Sequence, residues 1–272
     1  MVSIYIRTFK RDIAWLDFCL QSIHRNLKGW DEIVVCVPEG QERHLRYLTA
    51  ERRVTSPFFT VDYVGQQFAK LQAHRQVSGD YIFFVDADVI FLPGADVATF
   101  LDGDRPIIEK RRYTTLAAEG APAVRWQAAV ENLFHESPTW EYMRNHGTRL
   151  FRTDTLRAFG RRFPDLEAYA RRISKRLFSE FNFLGFFAEK NEPGRYVFVD
   201  TEASPERQLR SRQFWTVDGL TPSALLQLAT MGFVRRWPST LSPWDKLTGW
   251  ASRTTRHCKH WLQQRELPQA PP

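Results

Sequence analysis

Tyr81-Ile82-Phe83-Phe84-Val85-Asp86-Ala87-Asp88-Val89-Ile90-Phe91 is an apolar, β-prone run with two carboxylates near its centre. On a strand, positions i and i+2 share one face, so Asp86 and Asp88 are expected side by side late in a buried strand. Carboxylates are not left among Phe, Val and Ile unless they are paired, hydrogen-bonded or metal-bound. A divalent cation held by oxygen ligands resolves the conflict most simply. A cation there suits a polyphosphate ligand, and so an enzyme that handles a phosphorylated or nucleotide-activated substrate. The competing reading is a capped strand end whose acids contact nearby arginines.

The segments before this run alternate strand and helix. Val2–Ile6 reads as a buried first strand, followed by the loop Arg7-Thr8-Phe9-Lys10-Arg11-Asp12. Ile13, Leu16, Leu20 and Ile23 recur at helical spacing and predict a helix over Ile13–Asn26. Glu32–Val37 reads as a second strand stopped by Pro38 and Gly40, Glu42–Ala50 as helical, Phe59–Tyr63 as a third strand, and Gln66–Val77 as a helix ended by Ser78-Gly79. This alternation predicts an α/β fold with a mostly parallel, doubly wound central sheet. Ligands of such sheets sit beyond the carboxyl ends of the strands, where the two aspartates fall. Further on, Pro106–Lys110, Tyr142–Phe151 and Tyr196–Asp200 read as strands, and Val124–Phe134, Leu156–Phe159 and Leu166–Leu177 as helical. The chain divides into a first half at 1–104, a second half at 105–235 and a basic, tryptophan-bearing C-terminal extension at 236–272.

At 272 residues the chain can bury a full core. Its formal charge of +7, mostly from arginine, suggests an anionic partner. Cys19, Cys36 and Cys258 are too few and too scattered for a disulfide framework or a zinc site, and suit a reducing cytoplasm. Val2–Ile6 is too short for a signal peptide, and no window approaches the roughly 18 apolar residues of a membrane span.

Ser3-Ile4-Tyr5-Ile6-Arg7-Thr8, Gln66-Gln67-Phe68-Ala69-Lys70-Leu71 and Asp86-Ala87-Asp88 fall in order and at the expected distances. Together they resemble the GT-A glycosyltransferases with a DXD motif. More narrowly they resemble a bacterial and viral group with a QQ-x-x-KL helix before the DXD strand, the DUF6492-type families. The likeness covers about residues 1–220 and is clearest over 1–95. It implies a single GT-A-like domain whose first half binds a nucleotide-diphosphate-sugar and whose second half binds the acceptor. Arg7, Thr8 and Asp12 would cradle the nucleotide, Lys70 would face the diphosphate, and Asp86 and Asp88 would serve ribose and a Mn²⁺ or Mg²⁺ ion.

Transfer with inversion needs a base for the acceptor hydroxyl. Glu180 is the one acid in the aromatic stretch Phe178–Ala188, where desolvation would raise its pKa. The plainer reading makes it the first residue of a helix capped by Ser179, and the two are compatible. Asp154 and Asp165 are weaker candidates. His146, His257 and His260 fit no ligand pattern. Trp126, Tyr142, Arg149 and Trp215 either line an acceptor groove or pack the core. The tail from Thr240 either lies on an anionic membrane surface, at the cytoplasmic face, or packs on the catalytic body. The resemblance together with the tail implies a cell-surface glycan acceptor, of lipopolysaccharide or capsule type. Two rivals remain. One is a haloacid-dehalogenase-like phosphatase or phosphotransferase with Asp86 as nucleophile, although that motif usually follows the first strand. The other is a non-enzymatic basic module for nucleic acid or membrane, which explains the charge but not the buried acids; no nucleic-acid motif is present.

Overall fold

The computed structural model describes residues 1–143, 148–174, 177–204, 210–214 and 220–234. Its centre is a five-stranded sheet built from β1 (Val2–Arg7), β3 (Glu32–Pro38), β4 (Arg52–Ser56), β5 (Tyr81–Val85) and β11 (Thr148–Arg152), in the order β11-β5-β1-β3-β4. The first four are parallel to one another, and β11 runs antiparallel along β5 with Arg149 opposite Phe84. Alternate side chains leave for opposite faces. Ile4, Ile6, Val35, Val37, Phe83 and Val85 enter one core, while Tyr5, Val34, Cys36, Ile82 and Phe84 enter the other. Both faces are covered, so these strands read as continuous apolar runs.

Helix α1 (Ile13–Asn26) packs on the first face through Leu16, Cys19, Leu20 and Ile23. Helix α2 (Asp62–Leu71), α5 (Thr153–Arg162), α6 (Leu166–Arg172) and α7 (Glu180–Asn191) contribute to the second. Among the parallel strands the order is third, second, first, fourth. The chain therefore reverses direction across the sheet between β1 and β5, and the carboxyl ends of those two strands border the crevice where such folds take ligands.

Smaller elements complete the domain. Strands β2 (Leu27–Lys28) and β7 (Ala95–Asp96) pair, as do β6 (Val89–Phe91) and β13 (Ser211–Gln213), the latter antiparallel with Gln213 opposite Val89. Strand β9 (Arg105–Arg112) pairs with β8 (Leu101–Asp102), β10 (Trp140–Glu141) and β12 (Val197–Asp200). Helices α3 (Tyr113–Ala118) and α4 (Arg125–Phe134) lie between β9 and β10, and α8 (Pro222–Thr230) packs with Trp15 and Phe18 of α1. Because β11 joins β5, residues from both halves of the chain share the central sheet.

Several expectations are corrected. The third strand is Arg52–Ser56, not Phe59–Tyr63. It is an edge strand carrying exposed Arg52 and Arg53, so it lacks the apolar signature. Phe59 instead packs on Phe68 with ring centroids 5.2 Å apart, and the helix begins at Asp62. Glu42–Ala50 holds only a single 3₁₀ turn, Glu42–Leu45. Helix α2 ends at Leu71 and is followed by a 3₁₀ turn at Ala73–Arg75. The Tyr142–Phe151 strand is replaced by β10, which ends at Glu141, and β11, which starts at Thr148. Helix α5 is longer than Leu156–Phe159, and α6 stops at Arg172. The extension at 236–272 lies outside the described residues. No helix among the described residues is long and apolar enough to cross a membrane.

Candidate active site

Asp86 and Asp88 do not lie on a strand. Strand β5 ends at Val85 and β6 starts at Val89, so the two aspartates occupy the turn between them, closed by a hydrogen bond from Val89 N–H to the Asp86 carbonyl at 3.1 Å. Their convergence therefore comes from a turn and not from the period of a strand. Asp88 is buried and Asp86 half-buried. One group reaches both: Gln213 Nε2 donates to Asp88 Oδ1 at 3.2 Å and to Asp86 Oδ2 at 3.5 Å. Asp86 also forms an ion pair with a lysine, Lys70.

Lys70, in the last turn of α2, is buried. Its ammonium lies 2.8 Å from Asp86 Oδ1 and 3.2 Å from Glu180 Oε1. It also sits 4.8 Å from the centroid of the Phe181 ring, and the Arg149 guanidinium lies 5.5 Å from the same ring. Phe181 thus carries two cations on its π surface. Burial pulls the Lys70 pKa down, but the charges of Asp86 and Glu180 outweigh it and hold the ammonium protonated well above the usual lysine range. Lys70, expected to face a diphosphate, is in this structure clamped by two carboxylates.

Glu180 is the first residue of α7 and is buried. Burial pushes its carboxyl above the usual range; Lys70 opposes this and Asp86 reinforces it. Its second oxygen, Oε2, is buried and has no hydrogen-bond partner among the described residues. Ser179 stands at the N-cap position but its hydroxyl does not cap the helix. That oxygen accepts from Asn182 Nδ2 at 2.9 Å and donates to Met143 Sδ at 3.1 Å.

At the end of β1, Arg7 is buried and donates from Nη2 to Asp62 Oδ1 at 2.8 Å, at the start of α2. Thr8 follows, also buried, with an Oγ1 that has no hydrogen-bond partner among the described residues. Asp12 precedes α1; burial first and the Asp88 charge second push its carboxyl up to about 8, against the pull of Arg11. So the sequence-predicted Arg7, Thr8, Asp12, Lys70, Asp86, Asp88 and Glu180 all border the carboxyl ends of β1 and β5 or the elements packed beside them.

The remaining candidates separate. Arg149 on β11 is buried, its pKa drawn down to about 10 by desolvation against the pull of Glu141, Glu109, Asp86 and Glu180. It belongs to the charged cluster behind the site. Tyr142 is core: its hydroxyl donates to Glu189 Oε2 and its ring lies against Gly185. Trp126 is half-buried on α4. Asp154 is tied to Arg195 at 2.5 Å and to Arg152 at 3.6 Å. Burial pulls its carboxyl up, but the Arg195 bond and both cations hold it below the usual range, a poor setting for a base. Asp165 is exposed. Trp215, His146, His257 and His260 lie outside the described residues.

Three participants escaped sequence reading. Asp62 carried a faint signal, an acid in the first turn of a helix. Phe181 and Gln213 carried none, because aromatic residues crowd Phe178–Ala188 and Gln213 is one polar residue in a three-residue strand.

The donor set tests well against a hard cation. Asp86 and Asp88 already direct oxygens at a single point, and Asp88 and Asp12 repel each other's charge, which a cation would relieve. Among the described residues no group of three His, Cys, Asp or Glu has metal-binding geometry. Two carboxylates suffice for an ion of the magnesium kind, which completes its shell with water and substrate phosphates.

Compared with solved structures, the chain is similar to the galactosyltransferase LgtC, crystallised with donor and acceptor sugar analogs, at 15% identity and a TM-score of 0.51, over 87% of this chain and 97% of that one. The fold is GT-A-like. At this identity the likeness establishes the architecture alone. Weaker similarity extends to the glycosyltransferase GlyE of Streptococcus pneumoniae (13% identity, TM-score 0.40, 74% of this chain and 45% of that one). It also extends to a Bacillus anthracis protein provisionally assigned as a glucose-1-phosphate thymidylyltransferase (8% identity, TM-score 0.49, 88% and 98%). No protein-family model and no curated protein sequence matches the chain.

Proposed function

We propose that the chain is a glycosyltransferase that moves a sugar from a nucleotide-diphosphate donor to an acceptor hydroxyl, with Glu180 as general base and Asp86 and Asp88 holding a Mn²⁺ or Mg²⁺ ion. The observation that carries this reading is the Lys70 ammonium, which joins the Asp86-Ala87-Asp88 turn to Glu180 at the crevice between β1 and β5. The ion, when bound, would neutralise charge developing on the pyrophosphate leaving group.

The protein's own groups supply the rest. Arg7 and Thr8 at the end of β1, with Asp12 beyond them, border the space for the nucleotide. Lys70 places a fixed positive charge beside Asp86 and Glu180 and sets their orientation. The unpartnered Oε2 of Glu180 takes the proton of the attacking hydroxyl, and its raised pKa brings it nearer the working range of a base. The ion pair with Lys70 opposes the rise that burial causes.

The acceptor is a growing cell-surface glycan of the lipopolysaccharide or capsule kind, reached by a protein working at the cytoplasmic face of the membrane. This part rests on the sequence resemblance and on the basic tail. The test is release of nucleoside diphosphate from UDP-, GDP- and dTDP-sugars in the presence of Mn²⁺. Release by the wild type from at least one donor, with none from Asp88→Ala, is expected. No release from any donor, with or without a glycan acceptor, would overturn the assignment.

A further inference from the structure

Gln213 presents two facts that one ligand would explain together. Its amide nitrogen stands between Asp86 Oδ2 and Asp88 Oδ1, the place a cation would take. Its amide oxygen, Oε1, is buried and has no donor among the described residues. A buried acceptor left unpaired is costly, because it has given up its water without replacement. The backbone does not force this arrangement: a half-turn of the terminal amide exchanges oxygen and nitrogen at nearly constant shape.

We infer that Gln213 is a third protein ligand of the cation held by Asp86 and Asp88, donating its side-chain carbonyl oxygen. In this geometry the amide NH₂ bridges the two carboxylates and holds them converged. With a cation bound, the amide would turn so that its orphaned oxygen, and not its NH₂, faces the convergence of the two carboxylates, with the side chain drawn back to leave room for the ion. Amide carbonyls are ordinary ligands of hard cations. Position supports the role. Gln213 is in register with Val89 in the β13–β6 pair, and the Phe214 N–H donates to the Asp88 carbonyl at 2.9 Å, so the segment is fastened to the turn on both sides of its ligand. A neutral third ligand also limits the negative charge already concentrated by Asp12, Asp86 and Asp88.

This inference rests on the cation reading above, and the experiment separates the two. Mn²⁺ alone is titrated into the full chain and followed by electron paramagnetic resonance, for wild type, Asp88→Ala and Gln213→Ala. The same measurement is repeated on protein labelled with ¹³C at the glutamine side-chain carbonyl, reading the ¹³C hyperfine coupling to bound Mn²⁺. Expected are binding by wild type, its loss in Asp88→Ala, an affinity about tenfold lower in Gln213→Ala, and a ¹³C coupling that Gln213→Ala lacks. Thermal melts without metal establish that both variants are folded. Absence of Mn²⁺ binding by the wild type would overturn the cation reading itself. Binding by the wild type that depends on Asp88 but shows no ¹³C coupling would overturn the assignment of Gln213 and leave the cation reading standing, whether or not Gln213→Ala binds more weakly.

Discussion

Lys70 Nζ and Glu180 Oε1 lie 3.2 Å apart, although 110 positions separate them in the chain. This pair joins the end of α2 to the start of α7, and through the 2.8 Å contact with Asp86 it joins both to the turn after β5. A buried lysine that holds two acids fixes the orientation of each. The geometry of the site is therefore set by one side chain.

Glu180→Gln retains an oxygen facing Lys70 but removes the base. Turnover is expected to fall about 10²–10⁴-fold, with nucleotide binding within a small factor of the wild type. Steady-state kinetics beside a nucleotide titration separates the effects, since a group that acts only in the transition state changes kcat and leaves ground-state binding alone. Unchanged kcat would remove Glu180 from the mechanism.

Lys70→Met leaves the buried carboxylate of Glu180 without its cation and deprives Asp86 of its closest partner. Removing one member of a buried pair typically costs about 3–5 kcal/mol, and urea unfolding is expected to show a loss of that order. In the double variant Lys70→Met/Glu180→Gln the loss is expected to be smaller than the sum of the two single losses, because no uncompensated charge remains at Glu180. Strict additivity would mean that the two groups do not interact.

Gly185 lies within α7 where a Cβ would run into the Tyr142 side chain at its Cγ and Cβ. Alanine gains about 1 kcal/mol of helix propensity over glycine, but overpacking costs about 1–3 kcal/mol. Tyr142 cannot yield easily, because its hydroxyl is bonded to Glu189. Gly185→Ala is therefore expected to lower the melting temperature, and a rise would show that the ring has room to move.

Glu32 ties the start of β3 to its neighbours. It accepts from Ser3 Oγ and from Ser78 N–H, each at 2.6 Å, with Arg52 at 3.8 Å. Burial pulls its carboxyl up, but the Ser3 and Ser78 bonds and the Arg52 charge outweigh it and hold it below the usual carboxylate range. A depressed carboxyl pKa stabilises the fold above the unfolded value, and that contribution disappears as pH falls through the folded one. The difference in unfolding free energy between wild type and Glu32→Gln is thus expected to be constant near neutrality and to shrink below about pH 4.5. A difference that grows on acidification would reverse the sign assigned here.

The parallel sheet was legible because its strands are buried on both faces and show as short apolar runs between turn signals; Val2–Arg7, Glu32–Pro38 and Tyr81–Val85 all fall where that pattern puts them. The edge strand Arg52–Ser56 was not, since a charged edge has no apolar run. Asp86 and Asp88 stood out as acids in apolar surroundings, yet the reason for their convergence was misread, because a strand and a tight turn both bring i and i+2 together. Lys70 and Glu180 were each visible, but their contact was not: it depends on how α2 and α7 pack, and no local spacing encodes it. Gln213 was silent for the same reason, its significance arising only from the strand pairing that brings it to Val89.

The most direct test of the central claim is a thermal-shift panel of UDP, GDP and dTDP with and without Mn²⁺ on wild type and Asp88→Ala. A ligand that binds only the native state at a hundred times its Kd stabilises it by about 2.7 kcal/mol. The account expects one nucleoside diphosphate to raise the wild-type melting temperature only when Mn²⁺ is present, and Asp88→Ala to show no such shift. Equal stabilisation in the absence of metal, or by DNA in place of the nucleotide, would contradict it.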